Sequence, residues 1–220
     1  MKYITAISIT LIFLSGCAWF QTTEESTPDQ LVSDGMYSYD DGDYRDAIES
    51  FERLKDWYPF SKYTSLAQLK IADAYFRLEE FTEAIYAYEE FESLHPRNEA
   101  IPYVIYQIGL CYFNQMDTID RDQTATQKAM ETFRRLVSQF PESQYTINAR
   151  EHIKACQKNL AAHEFYVGMF YFKSKHYKPA LYRFKAVLSN YPDVGIHQEA
   201  LHYIALCEAS LKETQENGNE

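Results

Sequence analysis

The sequence predicts an all-α protein: a solenoid of helical hairpins with one long central helix and a C-terminal capping helix. Three observations carry this. First, one pattern occurs four times: an Ala, then an aromatic residue four on, an apolar residue seven on and a proline twelve on. The copies are Ala47, Phe51, Leu54 and Pro59; Ala84, Tyr88, Phe91 and Pro96; Ala129, Phe133, Leu136 and Pro141; and Ala180, Phe184, Val187 and Pro192. Offsets of four and seven place three side chains on one helical stripe. The proline ends the helix, because it lacks an N–H and pushes the preceding residue out of the α region. Second, another small residue precedes the Ala by twelve positions in three copies (Gly35, Ala72, Gly168) and by twenty in the remaining one (Gly109). Third, the proline-to-proline interval grows from 37 to 45 to 51 residues. The last exceeds the first by 51 − 37 = 14 residues, close to four turns at about 3.6 residues per turn.

Small residues twelve apart, one per helix, let two antiparallel helices approach closely, which makes the hairpins tetratricopeptide-like. The first pairs Leu31–Asp41 with Tyr44–Trp57 and turns at Gly42. The second pairs Tyr63–Leu78 with Phe81–Leu94. The third pairs Ile101–Gln115 with Thr124–Gln139 around an inserted loop, Met116–Gln123, which is either a solvated acidic loop or a contact surface on one face of the array. No Gly or Pro lies between Gln144 and Val167, so one long helix is expected over Gln144–Lys173. Its extra length is a whole number of turns, which keeps the packing face in phase for a fourth hairpin. That hairpin is completed by Tyr177–Asn190, with Pro179 tolerated in the first turn. A last helix, Gly195–Leu211, caps the array: Ile204-Ala205-Leu206-Cys207 repeats the pattern of Ile108-Gly109-Leu110-Cys111. The repeat domain is thus expected over 31–212. The segment 213–220 has no apolar residue and is expected to be a disordered tail.

The N-terminus reads as a targeting segment. Lys2 precedes the apolar run Tyr3–Leu14, which is too short to span a bilayer as a mature helix. The run ends in Leu14-Ser15-Gly16-Cys17, which resembles a bacterial lipobox. The resemblance implies a lipoprotein signal peptide over 1–16, a lipidated Cys17 and a flexible tether over 17–30. Two or three acyl chains hold a protein on a membrane, since each buried CH₂ contributes about 0.8 kcal/mol. Ala18, rather than Asp, implies the periplasmic face of the outer membrane.

Composition excludes other classes. With 21 Lys and Arg against 32 Asp and Glu the chain carries −11, the wrong sign for nucleic acid. Cys111, Cys156 and Cys207 each lie 15 residues after a repeat proline. They therefore occupy one repeat position in successive hairpins, about 10 Å apart, and a disulfide needs Cα atoms within about 7 Å. They are expected to be packing residues. No Gly-rich phosphate loop, H-E-x-x-H, G-x-S-x-G or paired C-x-x-C is present. His197 and His202 are five apart, wrong for two ligands on one helical face. His152 and His163 are eleven apart, about 16 Å along a helix. No catalytic, cofactor-binding or metal-ligating set is expected, and the covalent lipid on Cys17 is the sole non-protein group.

Several strings sharpen the reading: Trp57-Tyr58-Pro59-Phe60 with Tyr63, Asp120-Arg121-Asp122, Phe140-Pro141-Glu142-Ser143-Gln144-Tyr145-Thr146, and Asn190-Tyr191-Pro192-Asp193. In this order, after a lipobox and around a long helix, they resemble the BamD family, tetratricopeptide-repeat lipoproteins of the outer-membrane β-barrel assembly machine. The resemblance covers about Cys17 to Leu211. It departs in a short C-terminus and a compact inserted loop. It implies a non-enzymatic periplasmic scaffold for assembly and insertion of β-barrel proteins. Its C-terminal half would bind the last periplasmic domain of the barrel-forming subunit, and its N-terminal hairpins would meet unfolded outer-membrane proteins and, where present, accessory lipoproteins. A family Arg that pairs with an acidic residue of the barrel subunit corresponds to Arg183. The alternative is another tetratricopeptide lipoprotein, coordinating cell-wall synthesis or envelope constriction.

Overall fold

Thr27 starts the fold. Its hydroxyl accepts from the Gln30 N–H at 3.3 Å, while the Gln30 carboxamide accepts from the Thr27 N–H at 2.7 Å. With Pro28 in the first turn, this capping box starts helix α1, Pro28–Asp41, three residues before Leu31, where the apolar pattern alone begins. The structure is a computed structural model that describes residues 26–217. The signal peptide, Cys17 and most of the expected tether lie outside the described residues.

After α1 come α2 (Tyr44–Trp57), α3 (Thr64–Arg77), α4 (Phe81–Leu94), α5 (Ile101–Asn114), α6 (Thr124–Gln139), α7 (Thr146–Lys173), α8 (Tyr177–Asn190) and α9 (His197–Asn217). Each packs on the helix before and after it, and α5 also touches α7. The fold is therefore all-α among the described residues, an array of four hairpins capped by α9. No described helix is long and apolar enough to cross a membrane.

The repeated stripe is the core. All twelve anchor side chains, from Ala47 to Val187, are at most 1% exposed. The small residues face the rings rather than each other. A Cβ added to Gly35 would lie 2.6 Å from the Phe51 ring, one on Gly109 2.5 Å from Phe133, and one on Gly168 2.7 Å from Phe184. The glycines are thus seats for rings. The second hairpin departs, with Ala72 for Gly and Tyr88 for Phe. The buried Tyr88 hydroxyl needs a partner and donates to Asp73 Oδ1 at 2.8 Å.

The hairpin turns share one closure. Gly42, Glu79 and Lys175 sit in the left-handed region, at φ 92°, 59° and 60°. The next amide reaches back five residues in each: Asp43 to Ser38, Glu80 to Tyr75 and His176 to Tyr171. This is the Schellman arrangement, which glycine fits best. Lys175→Gly is expected to raise stability by about 1 kcal/mol, the penalty for an L side chain in that region, read as a higher Tm.

The first and third turns between hairpins share another closure. Thr64 and Thr146 hydroxyls donate to the Tyr58 and Phe140 carbonyls at 3.0 and 2.9 Å, and Ser61 and Ser143 hydroxyls accept from the Tyr63 and Tyr145 amides.

Besides the early start of α1 and one-residue differences at the ends of α3 and α5, two helices differ from expectation. Helix α7 begins at Thr146, since the turn through Tyr145 uses the two residues before it, and it runs unbroken to Lys173. Helix α9 begins at His197 and continues to Asn217, so the segment expected to be disordered is helical as far as it is described. Glu, Gln and Lys are good helix formers without any apolar face, and Lys212 pairs with Glu216 across one turn at 3.9 Å.

Long helix α7 joins two cores. Ala149 and Cys156 belong to the central cluster with Phe133, whereas Ala161 packs with Val187 and Ala200 in the C-terminal one. The three cysteines in the described region are free and buried. Burial pushes the Cys111 thiol up to about 12 and that of Cys156 to about 11, which keeps them unreactive.

Candidate partner-docking site

Arg183 lies on α8, one residue before the buried Phe184. The corresponding residues of the other three hairpins are Ser50, Ala87 and Thr132. Its side chain does not stand free. Nη1 donates to both oxygens of Glu164 on α7, at 3.2 and 3.0 Å. The Arg side chain is 36% exposed and that of Glu164 is 18%. The hydrogen bond to Glu164 raises the Arg183 pKa further. Among the described residues, Nε and Nη2 make no hydrogen bond, so the guanidinium is held through Nη1 alone.

The inserted loop borders the same place. Gln123, almost fully buried, donates through Nε2 to the Thr118 and Arg121 carbonyls at 2.9 and 3.1 Å. Its Oε1 accepts from the buried Thr126 hydroxyl at 3.0 Å. Asp122 accepts from the Thr124 N–H at 2.9 Å at the start of α6; hydrogen bonding from the Thr124 side chain, then from this amide, holds its carboxyl below the usual range. His163 Nδ1 lies 2.6 Å from the Ile119 carbonyl. Contact at that distance requires the protonated nitrogen there, so the imidazole latches the loop to α7. The loop is built from within and tied down, unlike a freely solvated acidic loop. Loop, α7 and α8 enclose a hollow of about 340 Å³ lined by Arg121, His163, Glu164, Arg183 and Tyr191 among others.

The charged groups around the hollow pair locally. Arg183 is paired with Glu164, and Arg121 with Asp117 at 3.6 Å. Among the described residues no group of three or more His, Cys, Asp or Glu could hold a metal ion. His152 stacks on Phe133, with ring centres 5.0 Å apart, and His197 Nε2 lies 3.2 Å from the Tyr191 carbonyl.

A second polar cluster escaped the sequence reading. Asp73 is 6% exposed. It accepts from Tyr88 and Tyr103 on Oδ1, both at 2.8 Å, and from Lys70 on Oδ2 at 3.3 Å. Desolvation, then the Asp73 charge, raises both phenol pKa values. The carboxylate ties α3, α4 and α5 together. The one available signal was Tyr88 itself, a hydroxyl where the other repeats place Phe.

An array of stacked helical hairpins around one long helix defines a class: tetratricopeptide-like helical-repeat proteins. Within that class, the family model described as outer membrane lipoprotein (YfiO) matches residues 24–220. The chain belongs to that family. Three relatives, each an outer membrane protein assembly factor BamD, are similar to it. The Caulobacter vibrioides protein is 31% identical, covering 89% of this chain and 65% of its own length. The Neisseria gonorrhoeae protein is 28% identical, covering 97% and 86%. The Vibrio cholerae protein is 27% identical, covering 91% and 88%. The chain thus spans just under two thirds of the Caulobacter relative and most of the other two. Among solved structures, the TPR2AB-domain:pHSP90 complex of yeast Sti1 overlaps it at a TM-score of 0.48 and 15% identity, covering 84% of this chain and 70% of that one. That likeness is too loose to speak about ligands.

Proposed function

We propose that this chain is a non-enzymatic scaffold subunit for assembly of β-barrel proteins into the outer membrane. Family membership supports the general role, outer-membrane protein assembly, and association with the membrane that hosts it. Cys17 carries the lipid anchor on the periplasmic face, the chain needs no cofactor, and the N-terminal hairpins meet unfolded barrel proteins and any accessory lipoproteins. The C-terminal half binds the last periplasmic domain of the barrel-forming subunit through Arg183.

The observation that carries the Arg183 reading is its one-cornered tether. Glu164 holds the guanidinium through Nη1 while Nε and Nη2 are left for a carboxylate on the partner, which Arg grips with a planar fork. Glu164 also shapes the test. The partly exposed pair contributes only about 0–1 kcal/mol to folding, so Arg183→Glu, which sets two carboxylates together, is expected to lower Tm slightly. Binding to a soluble form of the partner domain is expected to weaken by about 2 kcal/mol or more, the hot-spot threshold, in calorimetry. Reversing the partner's acidic residue to a base should recover part of the loss. Equal affinities of parent and variant would remove Arg183 from the interface.

A further inference from the structure

The four inter-hairpin turns act as internal controls for one another. At the residue after the proline they carry Phe60, Arg97, Glu142 and Asp193; two residues before the proline they carry Trp57, Leu94, Gln139 and Asn190. Arg97, Glu142 and Asp193 are exposed, as suits charged residues at turn tips. Phe60 is equally exposed, at 101%, and Trp57 is 52% exposed. The repeat geometry forces the position outward but does not ask for an aromatic there. Pro28, Trp57, Pro59 and Phe60 line an open hollow of about 320 Å³. An exposed apolar patch of this kind marks a binding surface.

This is also the turn that holds the start of the described chain. The Tyr58 hydroxyl donates to the Ser26 carbonyl at 3.0 Å, and the Tyr63 hydroxyl to Asp29 at 2.6 Å. The tether therefore enters the fold beside the aromatic patch. Ser26 lies nine positions after Cys17, at most about 30 Å of extended chain. Lys62 is the one charged residue between Trp57 and Tyr63. It is exposed, its ammonium 4.7 Å from the Tyr63 ring centre, and it is a cation suited to lipid phosphate on a chain of net charge −11.

We propose that the turn Trp57–Phe60 seats in the lipid–water interface beside the acyl anchor, as a second membrane contact that fixes how the array stands on the bilayer. Trp favours that interface, Phe extends below it, and an anchored tether keeps both within reach. The proposal rests on the reading of Cys17 as the lipidated residue.

Trp19 and Trp57 are the two tryptophans of the chain, so Trp19→Phe leaves Trp57 as sole reporter. The lipidated full-length variant is reconstituted into phosphatidylethanolamine–phosphatidylglycerol vesicles, with and without bromine on the acyl chains. The expected result is flotation with the vesicles, a blue-shifted Trp57 emission and quenching by the brominated lipid. Adding Phe60→Asp should reverse the shift and the quenching while flotation persists. Flotation with Trp57 equally bright in both vesicles would overturn the proposal and leave the anchor standing. Trp57 blind to bromine but shifted by an added unfolded barrel protein would overturn it in favour of a client site. Failure to float would overturn the anchor and the proposal together.

Discussion

Phe133→Ala is expected to destabilise the protein by about 3–5 kcal/mol, the range for emptying a fully buried aromatic site. The ring is wholly buried and occupies the seat left by Gly109. It stacks on His152 of α7 at 19° and meets Phe113 of α5 edge-on. Its loss would open a void where α5, α6 and α7 meet, and none of those helices can close in, because each is held by its other neighbour. Urea or thermal unfolding checks this. A variant that melts like the parent would mean that the repeat register derived from Ala129 and Pro141 does not govern packing.

Asn159→Pro is expected to cost about 3 kcal/mol or more and to damage function at a distance. Asn159 lies in the middle of α7. Proline there removes its own N–H donor and drives its ring into the carbonyl one turn back. The first half of α7 packs into the central core and the second into the C-terminal core, so a kink displaces Glu164 from its position relative to the third hairpin and strains the His163–Ile119 latch. Circular dichroism should show lost helix. Affinity for the barrel subunit's domain should fall although Arg183 is unchanged. Parent-like helicity and binding together would contradict a continuous, weight-bearing α7.

The fold was legible because it is periodic. The spacing of Ala47, Phe51 and Leu54, repeated three more times, identified the buried stripe without any tertiary knowledge, and the serine- and threonine-closed turns recur as strings. The equivalent placement of Cys111, Cys156 and Cys207 read correctly as packing. Local polar signals were present but underread: Thr27-Pro28 with Gln30 announced the start of α1, and Lys212 with Glu216 favoured a helix through a segment with no apolar residue. The contacts that build the candidate site were not legible. Glu164 and Arg183 are 19 residues apart, Ile119 and His163 are 44 apart, and Tyr103 is 30 from Asp73. A repeat pattern says which face of a helix is buried. It does not say which polar residue on one hairpin meets which on the next, because that depends on the stacking angle. The exposed Phe60 was visible as a letter in a turn, but only the fold showed it beside the point where the tether enters.

The proposed role is that of a scaffold holding the barrel-forming subunit of the assembly machine. Purification of the tagged, full-length protein from detergent-solubilised outer membranes, with identification of what accompanies it, tests that most directly. The barrel-forming subunit is expected to accompany the parent and to be markedly depleted with Arg183→Glu. Recovery of cell-wall synthesis enzymes, with no barrel-forming subunit in either preparation, would contradict it.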